Sequence, residues 1–326
     1  MRAVVITKPG AEDVLEIQER PAPVPGFGQV RVRVAAAGLN RADLMQREGH
    51  YPAPPGVAPD IPGIEYAGTV DAVGPGCTLW HAGDQVMGVI GGAAHAELLC
   101  VHEREVIPVP AGLSLEEAAA IPEAFLTAHD ALHHRLAIAS GELVLIHAVA
   151  SGVGTAALQL ARRAGARTCG SSRSPLKLAR CTALGLDHAI DGREQWPAAV
   201  ERALGTDAID AVLDLVGGDY LTGDLQVLRP LGRIVVVGLT GGRSASIDLG
   251  ALLGKRATVV GTVLRARPLE EKAALAREFS HRMVPLFALG ALTPVVDRVV
   301  SFDEVRAAHA LMASNETFGK VVLRWN

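Results

Sequence analysis

The chain of 326 residues has few aromatic residues and no strong charge of either sign. Phe, Trp and Tyr make up 4% of it, and the formal net charge is −4. Nucleic-acid-binding proteins present basic surfaces and aromatic stacking platforms, so this composition argues against such a partner. No apolar run reaches the roughly 18 residues of a membrane-spanning helix, and residues 1–9 are interrupted too early for a signal peptide. We expect a cytoplasmic protein with no nucleic-acid or membrane partner.

Cysteine is also scarce. Close cysteine pairs mark structural zinc sites and redox motifs, and small secreted domains carry disulfide frameworks. The sequence contains no C-x-x-C pair, no internal repeat and no low-complexity segment. We therefore expect four reduced thiols, at the widely separated positions Cys77, Cys100, Cys169 and Cys181.

One stretch near the middle carries a motif. Residues 143–146 read Leu-Val-Leu-Ile, an apolar run typical of a buried parallel strand. Gly152, Gly154 and Ala157 follow with the spacing G-x-G-x-x-A, and a helical apolar pattern comes next. This order predicts a dinucleotide site whose pyrophosphate is held by backbone N–H groups at the helix start. Gly152 would make the tight turn and Gly154 would let the backbone approach the phosphate; a plain glycine turn is the alternative.

The chain divides into two kinds of pattern. Up to about residue 110, short strand candidates are separated by glycine and proline, which indicates a small barrel or sandwich. From residue 114 onward, strands and helices alternate, which indicates a doubly wound parallel sheet. We therefore predict an α/β protein with a β-rich domain over residues 1–122, completed by 291–326, and a dinucleotide-binding domain over residues 123–290.

The same patterns predict individual elements. Helices are expected over residues 40–47, from 123 to about 139, and over 268–289 as one long helix. The six strands expected in the dinucleotide-binding domain cover residues 143–148, 167–170, 189–190, 209–214, 233–237 and 257–263.

Four stretches resemble the medium-chain dehydrogenase/reductase superfamily, and within it the zinc-free quinone oxidoreductases of the zeta-crystallin type. They are residues 39–47 (LNRADLMQR), 118–128 (AAAIPEAFLTA), 145–157 (LIHAVASGVGTAA) and 319–323 (GKVVL). The likeness is greatest to the NAD(P)H quinone oxidoreductases that a tumour suppressor induces in animals. The resemblance implies a GroES-like first domain, a Rossmann second domain and a cleft between them.

Zinc dehydrogenases of this superfamily hold a catalytic zinc through a cysteine, a Gly-His-Glu motif and a further Cys or Asp. In this chain the place of the first cysteine holds Asn40, and the motif reads Gly63-Ile64-Glu65. A catalytic zinc needs about three protein ligands, so Glu65 alone does not suffice and we expect no metal. Without a Lewis acid, reduction of an already activated acceptor is favoured over oxidation of an alcohol.

The loop after the second predicted strand indicates the form of the cofactor. In NAD-binding domains an acidic residue about 20 positions after the first glycine holds the ribose hydroxyls. Here that position, 152 + 20 = 172, is Ser172, and residues 170–177 (GSSRSPLK) contain no Asp or Glu. Ser172, Arg173 and Lys177 offer a hydroxyl and two cations to a 2′-phosphate, which predicts NADPH rather than NADH. The alternative is that Arg173 and Lys177 are ordinary surface charges.

Further cofactor contacts are implied by the resemblance alone. Family members often place a tyrosine near the adenine, at a position that holds Gly192 in this chain. The other positions that the resemblance assigns to the cofactor are Thr127, Ser151, Val153, Thr155, Val216, Gly238, Leu239, Thr240, Gly241, Val263, Leu264, Arg265 and Asn315.

Three residues of the first domain match family positions near the cleft. Asn40 would hydrogen-bond a substrate carbonyl, with a helix cap as an equal alternative. For Asp43 we favour a structural hydrogen bond. Tyr51 would stack on the acceptor or give a proton to the developing oxyanion, unless it serves packing alone. Arg47 and Arg265 are expected to be solvated surface residues, with a position at the mouth of the site as the alternative.

These features predict an NADPH-dependent quinone reductase that acts on ortho-quinones or similar small molecules. Whether the electrons leave singly or as a hydride stays open. The alternatives are an alkenal or enone reductase with the same cofactor, and a catalytically weak NADPH-binding protein like some crystallin relatives. Residues 256–264 read as a last strand with an exposed edge. Because relatives form dimers along such an edge, we expect a homodimer.

Overall fold

The computed structural model describes residues 1–193 and 195–325. Contacts divide the chain into two units. The first unit contains residues 1–126 and the residues from 264 onward, and the second contains Thr127–Val263.

Strands account for the sheets of both units. In the described residues they are β1 (Arg2–Ile6), β2 (Leu15–Glu19), β3 (Gln29–Leu39), β4 (Glu65–Val73), β5 (Gln85–Val89), β6 (Leu98–His102), β7 (Ile107–Pro108), β8 (Leu143–Ile146), β9 (Arg167–Ser172), β10 (His188–Asp191), β11 (Ile209–Asp214), β12 (Leu228–Val236), β13 (Thr258–Gly261), β14 (Val296–Ser301) and β15 (Lys320–Arg324).

Helices connect these strands. In the described residues they are α1 (Arg41–Arg47), α2 (Leu115–Ala118), α3 (Pro122–His129), α4 (Gly152–Arg163), α5 (Pro175–Ala183), α6 (Trp196–Leu204), α7 (Tyr220–Val227), α8 (Leu249–Lys255), α9 (Leu269–Arg282), α10 (Val284–Ala288) and α11 (Val305–Ala313). None of the described helices is both long and apolar enough to cross a membrane.

The second unit is built on a six-stranded sheet in the order β10-β9-β8-β11-β12-β13. All of its pairings are parallel, and the order 3-2-1-4-5-6 is that of a Rossmann domain. Leu145, Val212 and Ile234, on the three central strands, are fully buried, as parallel strands with covered faces require. The predicted doubly wound sheet is confirmed, although β12 begins at Leu228 rather than at residue 233.

The first unit contains a seven-stranded sheet in which β14-β15-β3-β4-β5-β7 are neighbours and β6 pairs with β3. The alternation in β3 sets its two faces. Val30, Val32 and Val34 are buried, while Arg31 and Arg33 point to the other face and pair with Asp71 at 2.5 and 3.0 Å. The register therefore keeps every valine of this strand in the core.

The division between the units differs from the predicted domain boundaries. Residues 264–290, which the sequence placed with the dinucleotide-binding domain, group with the first unit. Ion pairs explain this grouping: Lys272 on α9 contacts Glu105 at 2.7 Å, and Arg104 donates two hydrogen bonds to Glu270 at 3.0 and 2.7 Å. Local sequence patterns do not predict ion pairs between residues so far apart in the sequence.

Two predicted helices are interrupted. The helix expected over residues 268–289 is divided between α9 and α10, because Pro285 near the start of α10 has no N–H and disfavours helical backbone before it. The helix expected from residue 123 to about 139 ends as α3 at His129 and continues as a π-helix over Asp130–Arg135. Within that π-helix the Leu136 N–H donates to Ala131 O, five residues back.

Candidate functional site

The glycine turn lies between β8 and α4. Ser151 is the N-cap of α4, and its Oγ accepts a hydrogen bond from Gly154 N at 3.0 Å. The first N–H groups of a helix have no acceptor within the helix, so those of Gly152 and Val153 are directed at the space before it. A Cβ on Gly154 would stand 2.5 Å from Ala148 O. Contact with the turn's own backbone is therefore enough to require glycine at this position. That a phosphate also approaches Gly154 stays a prediction.

The predicted phosphate loop begins where β9 ends. Ser172 is the last residue of β9, and its Oγ accepts a hydrogen bond from Ser174 N at 3.3 Å. Ser174 then caps α5 by accepting from Lys177 N at 3.4 Å. The Arg173 side chain between them is exposed. Ser172, Arg173 and Lys177 therefore lie between the end of β9 and the first turn of α5, and their joint contact with one anion stays a prediction.

A carboxylate that the sequence analysis missed lies beside this loop. Asp191 on β10 is paired in register with Ser172 on β9, although 19 residues separate them in sequence. Arg193 contacts the Asp191 carboxylate at 2.5 Å and lowers the pKa of Asp191 to about 2. Gly192 N donates to Ser172 O at 2.9 Å. The negative charge of Asp191 is thus paired with a guanidinium.

The loops after β11 and β12 contact each other. Gly241 N donates to Val216 O at 2.7 Å, and Gly217 and Gly242 form a parallel bridge. The Asp214 carboxylate holds the first loop by accepting from Val216 N at 2.8 Å. The structure thus brings the predicted residue Val216 together with those at 238–241, at the carboxyl edge of the sheet where ligands bind in this fold.

The remaining predicted cofactor positions are distributed over both units. Thr127 is buried in α3, and Val263 is exposed shortly after β13. Leu264 and Asn315 belong to the first unit. Asn315 has a left-handed backbone, with φ of 59°, and its Oδ1 accepts from Arg41 at 2.6 Å. Cofactor contact by these four residues stays a prediction.

In the first unit, Asp43 is a structural residue, as favoured from the sequence. It is fully buried. Its Oδ2 accepts from Asn40 N at 2.8 Å, which caps α1, and its Oδ1 accepts from Gly63 N at 2.9 Å. Both carboxylate oxygens are therefore committed to the backbone. Asp43 fixes the start of α1 against the loop at Gly63.

The Asn40 amide and its neighbours form a buried polar cluster. Asn40 Nδ2 donates to Glu65 Oε1 at 2.9 Å, and Asn40 Oδ1 accepts from Lys320 Nζ at 2.6 Å. Lys320 also contacts Glu65 Oε1 at 2.6 Å, and Glu65 Oε2 accepts from Glu123 N at 2.8 Å. Glu65 has no exposed surface. An ammonium group therefore lies among the positions that zinc dehydrogenases use for metal ligands.

This donor set does not fit a catalytic zinc. Ile64 offers no ligand atom, the Asn40 amide is a poor one, and the Glu65 carboxylate is neutralised by Lys320. A divalent cation would also meet the repulsion of the buried ammonium. We therefore derive no chemical step through a metal at this place.

Tyr51 is held by a buried arginine. Arg265 is 4% exposed, so the expectation of a solvated surface residue is wrong. Its guanidinium donates to Gly91 O at 2.7 Å, to Tyr51 O at 3.2 Å and to Gln46 Oε1 at 2.6 Å. It also lies over the Tyr51 ring, 4.8 Å from the centroid. Arg265 thus fastens the proline-rich loop that carries Tyr51 to α1, which carries Gln46.

The environment of Tyr51 keeps its hydroxyl protonated. Burial raises the pKa of Tyr51 above its usual value, and the Arg265 cation offsets part of that rise. A phenol in this state donates a hydrogen bond and is a proton donor rather than a base near neutral pH.

Arg47 is the second arginine whose predicted position at the solvated surface is wrong. It is 3% exposed, and its guanidinium donates to Gly10 O at 3.0 Å and contacts His309 Nδ1 at 3.4 Å. Arg47 therefore serves the interior of the first unit, and its guanidinium also pairs with the exposed Glu48 at 2.9 Å.

Comparison with known proteins shows the family of this chain. The family described as "Alcohol dehydrogenase GroES-like domain" matches residues 26–111, and that described as "Zinc-binding dehydrogenase" matches residues 152–280. The synaptic vesicle membrane protein VAT-1 homolog of Mus musculus is 33% identical over 99% of this chain and 83% of its own length. The chain therefore belongs to the medium-chain dehydrogenase/reductase superfamily and is one of its oxidoreductases, as the resemblance implied.

Two solved structures resemble the fold closely. The Escherichia coli quinone oxidoreductase complexed with NADPH has a TM-score of 0.91 and 27% identity, with 99% of this chain and 100% of that one covered. CurK enoyl reductase has a TM-score of 0.88 and 29% identity, with 100% and 99% covered. The GroES-like and Rossmann folds expected from the sequence are confirmed. A nicotinamide cofactor fits the second unit, where a capped helix start, a cationic loop and two glycine loops meet one edge of the sheet.

Proposed function

We propose that this protein is an NADPH-dependent quinone reductase that works without zinc. The observation that carries the proposal is the Lys320–Glu65–Asn40 cluster, with an ammonium 2.6 Å from the only carboxylate of the expected zinc site. With no Lewis acid to polarise a substrate, the acceptor must already be activated. Quinones meet this condition, and the likeness to a quinone oxidoreductase supports the same class of acceptor.

The reaction requires one hydride and one proton for each quinone that becomes a hydroquinone. Bound NADPH supplies the hydride. Tyr51 is the residue that we assign to the proton and to stacking on the flat acceptor, because its hydroxyl is kept protonated and its ring is fixed by Arg265. Asn40 Nδ2 donates to Gly38 O and to Glu65 Oε1, and its Oδ1 accepts from Lys320, so its role is to preserve the site's shape rather than to bind a substrate carbonyl.

The choice of NADPH over NADH is supported by charge. Ser172, Arg173 and Lys177 lie between the end of β9 and the first turn of α5, and Arg193 pairs with Asp191 on the neighbouring strand. The complex of a similar quinone oxidoreductase with NADPH is consistent with this choice.

Arg173→Glu tests the cofactor assignment. The substitution replaces a charge-assisted hydrogen bond with repulsion, so the Kd for NADPH should rise about tenfold or more, while that for NADH changes little. Arg180→Glu, an exposed residue of α5, is the matched control and should leave both constants unchanged. Equal losses for the two cofactors in Arg173→Glu would refute the phosphate contact.

The acceptor class is tested by NADPH oxidation with a panel of ortho-quinones, para-quinones and 2-alkenals at saturating cofactor. We expect turnover of quinones, fastest with ortho-quinones. If no quinone is reduced although NADPH binds, the proposal fails in favour of a catalytically weak binding protein.

One observation favours a second function. CurK enoyl reductase matches the fold over nearly the whole of both chains, and an activated alkene is also an acceptor that needs no metal. Turnover of 2-alkenals well above that of quinones in the same panel would select this alkene reductase.

We also propose a homodimer that pairs along β13. This strand is the last of the six-stranded sheet, Val259 is 36% exposed, and Leu253 on the preceding helix is 76% exposed. An apolar sheet edge of this kind is normally covered. The cytoplasmic location and the likeness to the tumour-suppressor-induced subgroup stay predictions.

A further inference from the structure

His147 is a buried histidine that the proposed reaction does not use. It follows β8 directly, has no exposed surface, and donates its backbone N–H to Leu213 O at 3.1 Å. Its ring nitrogens have different partners. Nε2 lies 2.7 Å from Asp224 Oδ1 on α7, and Nδ1 lies 2.7 Å from Ser171 Oγ on β9. One imidazole therefore connects β8, β9 and α7.

Aromatic packing fixes the plane of this imidazole. The Trp196 and Tyr220 rings approach it edge-on, with centroids at 4.5 and 4.8 Å and interplanar angles of 70° and 89°. The two rings also stack on each other, with 5.6 Å between centroids. The orientation of His147 is thus set by two aromatic neighbours that also pack on each other.

The two hydrogen bonds of His147 use both ring nitrogens. Asp224 as a carboxylate accepts from Nε2–H, and Nδ1 is bonded to the Ser171 hydroxyl. Asp224 is fully buried, and among the described residues its Oδ2 has no hydrogen-bond partner. A buried acid of this kind is costly to keep. The His147–Asp224 pair therefore gives little stability, which points to conformational specificity as its benefit.

Ser171 connects the His147–Asp224 pair to the glycine turn. Its carbonyl accepts from Val149 N in the glycine turn at 3.1 Å, and its hydroxyl binds His147. The next residues along the chain are Ser172 and Arg173, the proposed ligands of the 2′-phosphate. Ser171 therefore joins the glycine turn to the phosphate loop through one backbone bond and one side-chain bond.

We propose that His147 is a positioning residue for the adenosine end of the cofactor: held by Asp224, it fixes Ser171 and thereby the placement of Ser172 and Arg173 relative to the glycine turn. The proposal rests on the NADPH assignment made above.

The experiment uses Ser171→Ala, which removes only the hydroxyl, and measures binding of adenosine 2′,5′-bisphosphate by calorimetry. We expect the Kd to rise at least fivefold. NADPH kinetics should show a similar rise in KM with kcat unchanged at saturation. Turnover with reduced nicotinamide mononucleotide, which lacks the adenosine, should not change. Ser171→Thr keeps the hydroxyl and should restore affinity.

The matched control is Thr168→Val. Thr168 is a fully buried hydroxyl residue at the other end of β9, bonded to Asp187 at 2.9 Å. It should match Ser171→Ala in its effect on folding and leave the bisphosphate affinity unchanged. If Ser171→Ala binds the bisphosphate as wild type does, or if Thr168→Val loses as much affinity, the positioning role is refuted.

The closing comparison separates this proposal from the one it rests on. If the wild-type chain binds NADH more tightly than NADPH, the NADPH assignment fails. Binding of adenosine diphosphate ribose to the same variants is then measured. A fivefold loss of affinity confined to Ser171→Ala still supports the positioning role, whereas an unchanged affinity overturns it.

Discussion

Single residues decide the chemistry of this protein through partners that are distant in sequence. Arg265 reaches Gln46, Tyr51 and Gly91, and Lys320 reaches Asn40 and Glu65. The family resemblance assigned Asn40, Asp43 and Tyr51 to the site, and their part in the reaction stays a prediction. The sequence could not predict the burial of Arg47 and Arg265, because an arginine enters a protein interior only when the fold supplies acceptors. His147 was missed for the same reason, since its partners lie 24 and 77 residues away.

Arg265→Lys tests the arginine clamp. Lysine keeps the charge but cannot serve three acceptors and stack on Tyr51, so the free energy of unfolding should fall by about 2–4 kcal/mol. The KM for quinone should rise because the Tyr51 loop is released. Urea unfolding and steady-state kinetics measure the two effects. Arg33→Lys, an exposed residue, should change neither, and an unaltered Arg265→Lys enzyme would contradict the clamp.

His309 gives the first unit a pH dependence. Burial, then His95 and Arg47, hold the pKa of His309 well below its usual value; burial also lowers the pKa of His95. Because both folded pKa values lie below the unfolded value of about 6.5, their contribution to stability is complete above that pH and is lost as the pH falls below it. The Tm should therefore decrease between about pH 7 and pH 5.5.

The matched variants are His309→Asn, which keeps an acceptor for Arg47, and His281→Asn, at an exposed position of α9. The decrease in Tm should shrink in the first and persist in the second. An equal decrease in His309→Asn and wild type would show that the acid sensitivity arises elsewhere.

At the scale of elements, periodicity predicted most strands and helices. It did not predict the interruptions within two of the helices. All six predicted strands of the Rossmann sheet are present, and β8 (LVLI) coincides with its apolar run. The division between α9 and α10 at Met283 was missed although Pro285 is plain in the sequence, because the apolar pattern continues across it. The π-helix after α3 has no local signal that we recognise.

The edge strand β13 of the Rossmann sheet is expected to form the dimer contact. Val259→Lys on β13 should convert a dimer to a monomer, because a charge would be buried at the paired edge. Light scattering after size exclusion measures the mass. Leu176→Lys, 75% exposed on α5, is the control and should leave the mass unchanged. A monomeric wild-type chain would contradict the proposed pairing.

At the scale of the whole molecule, the sequence predicted the two folds and the family but not the boundary between units. Residues 264–290 follow the last Rossmann strand without a break in pattern, yet their ion pairs bind them to Arg104 and Glu105 in the first unit. Such pairs form only between distant segments, so local propensity carries no record of them. The replacement of the family's cysteine and histidine ligands by Asn40 and Ile64, in contrast, can be read from the sequence because it depends on residue identity alone.

The central claim is that this chain reduces quinones with NADPH and without a metal. The direct measurement is the rate of NADPH oxidation with an ortho-quinone by protein dialysed against a strong chelator, with its metal content determined by mass spectrometry. We predict an undiminished rate in protein that retains only trace metal. A rate that disappears on chelation and returns with zinc would contradict the account.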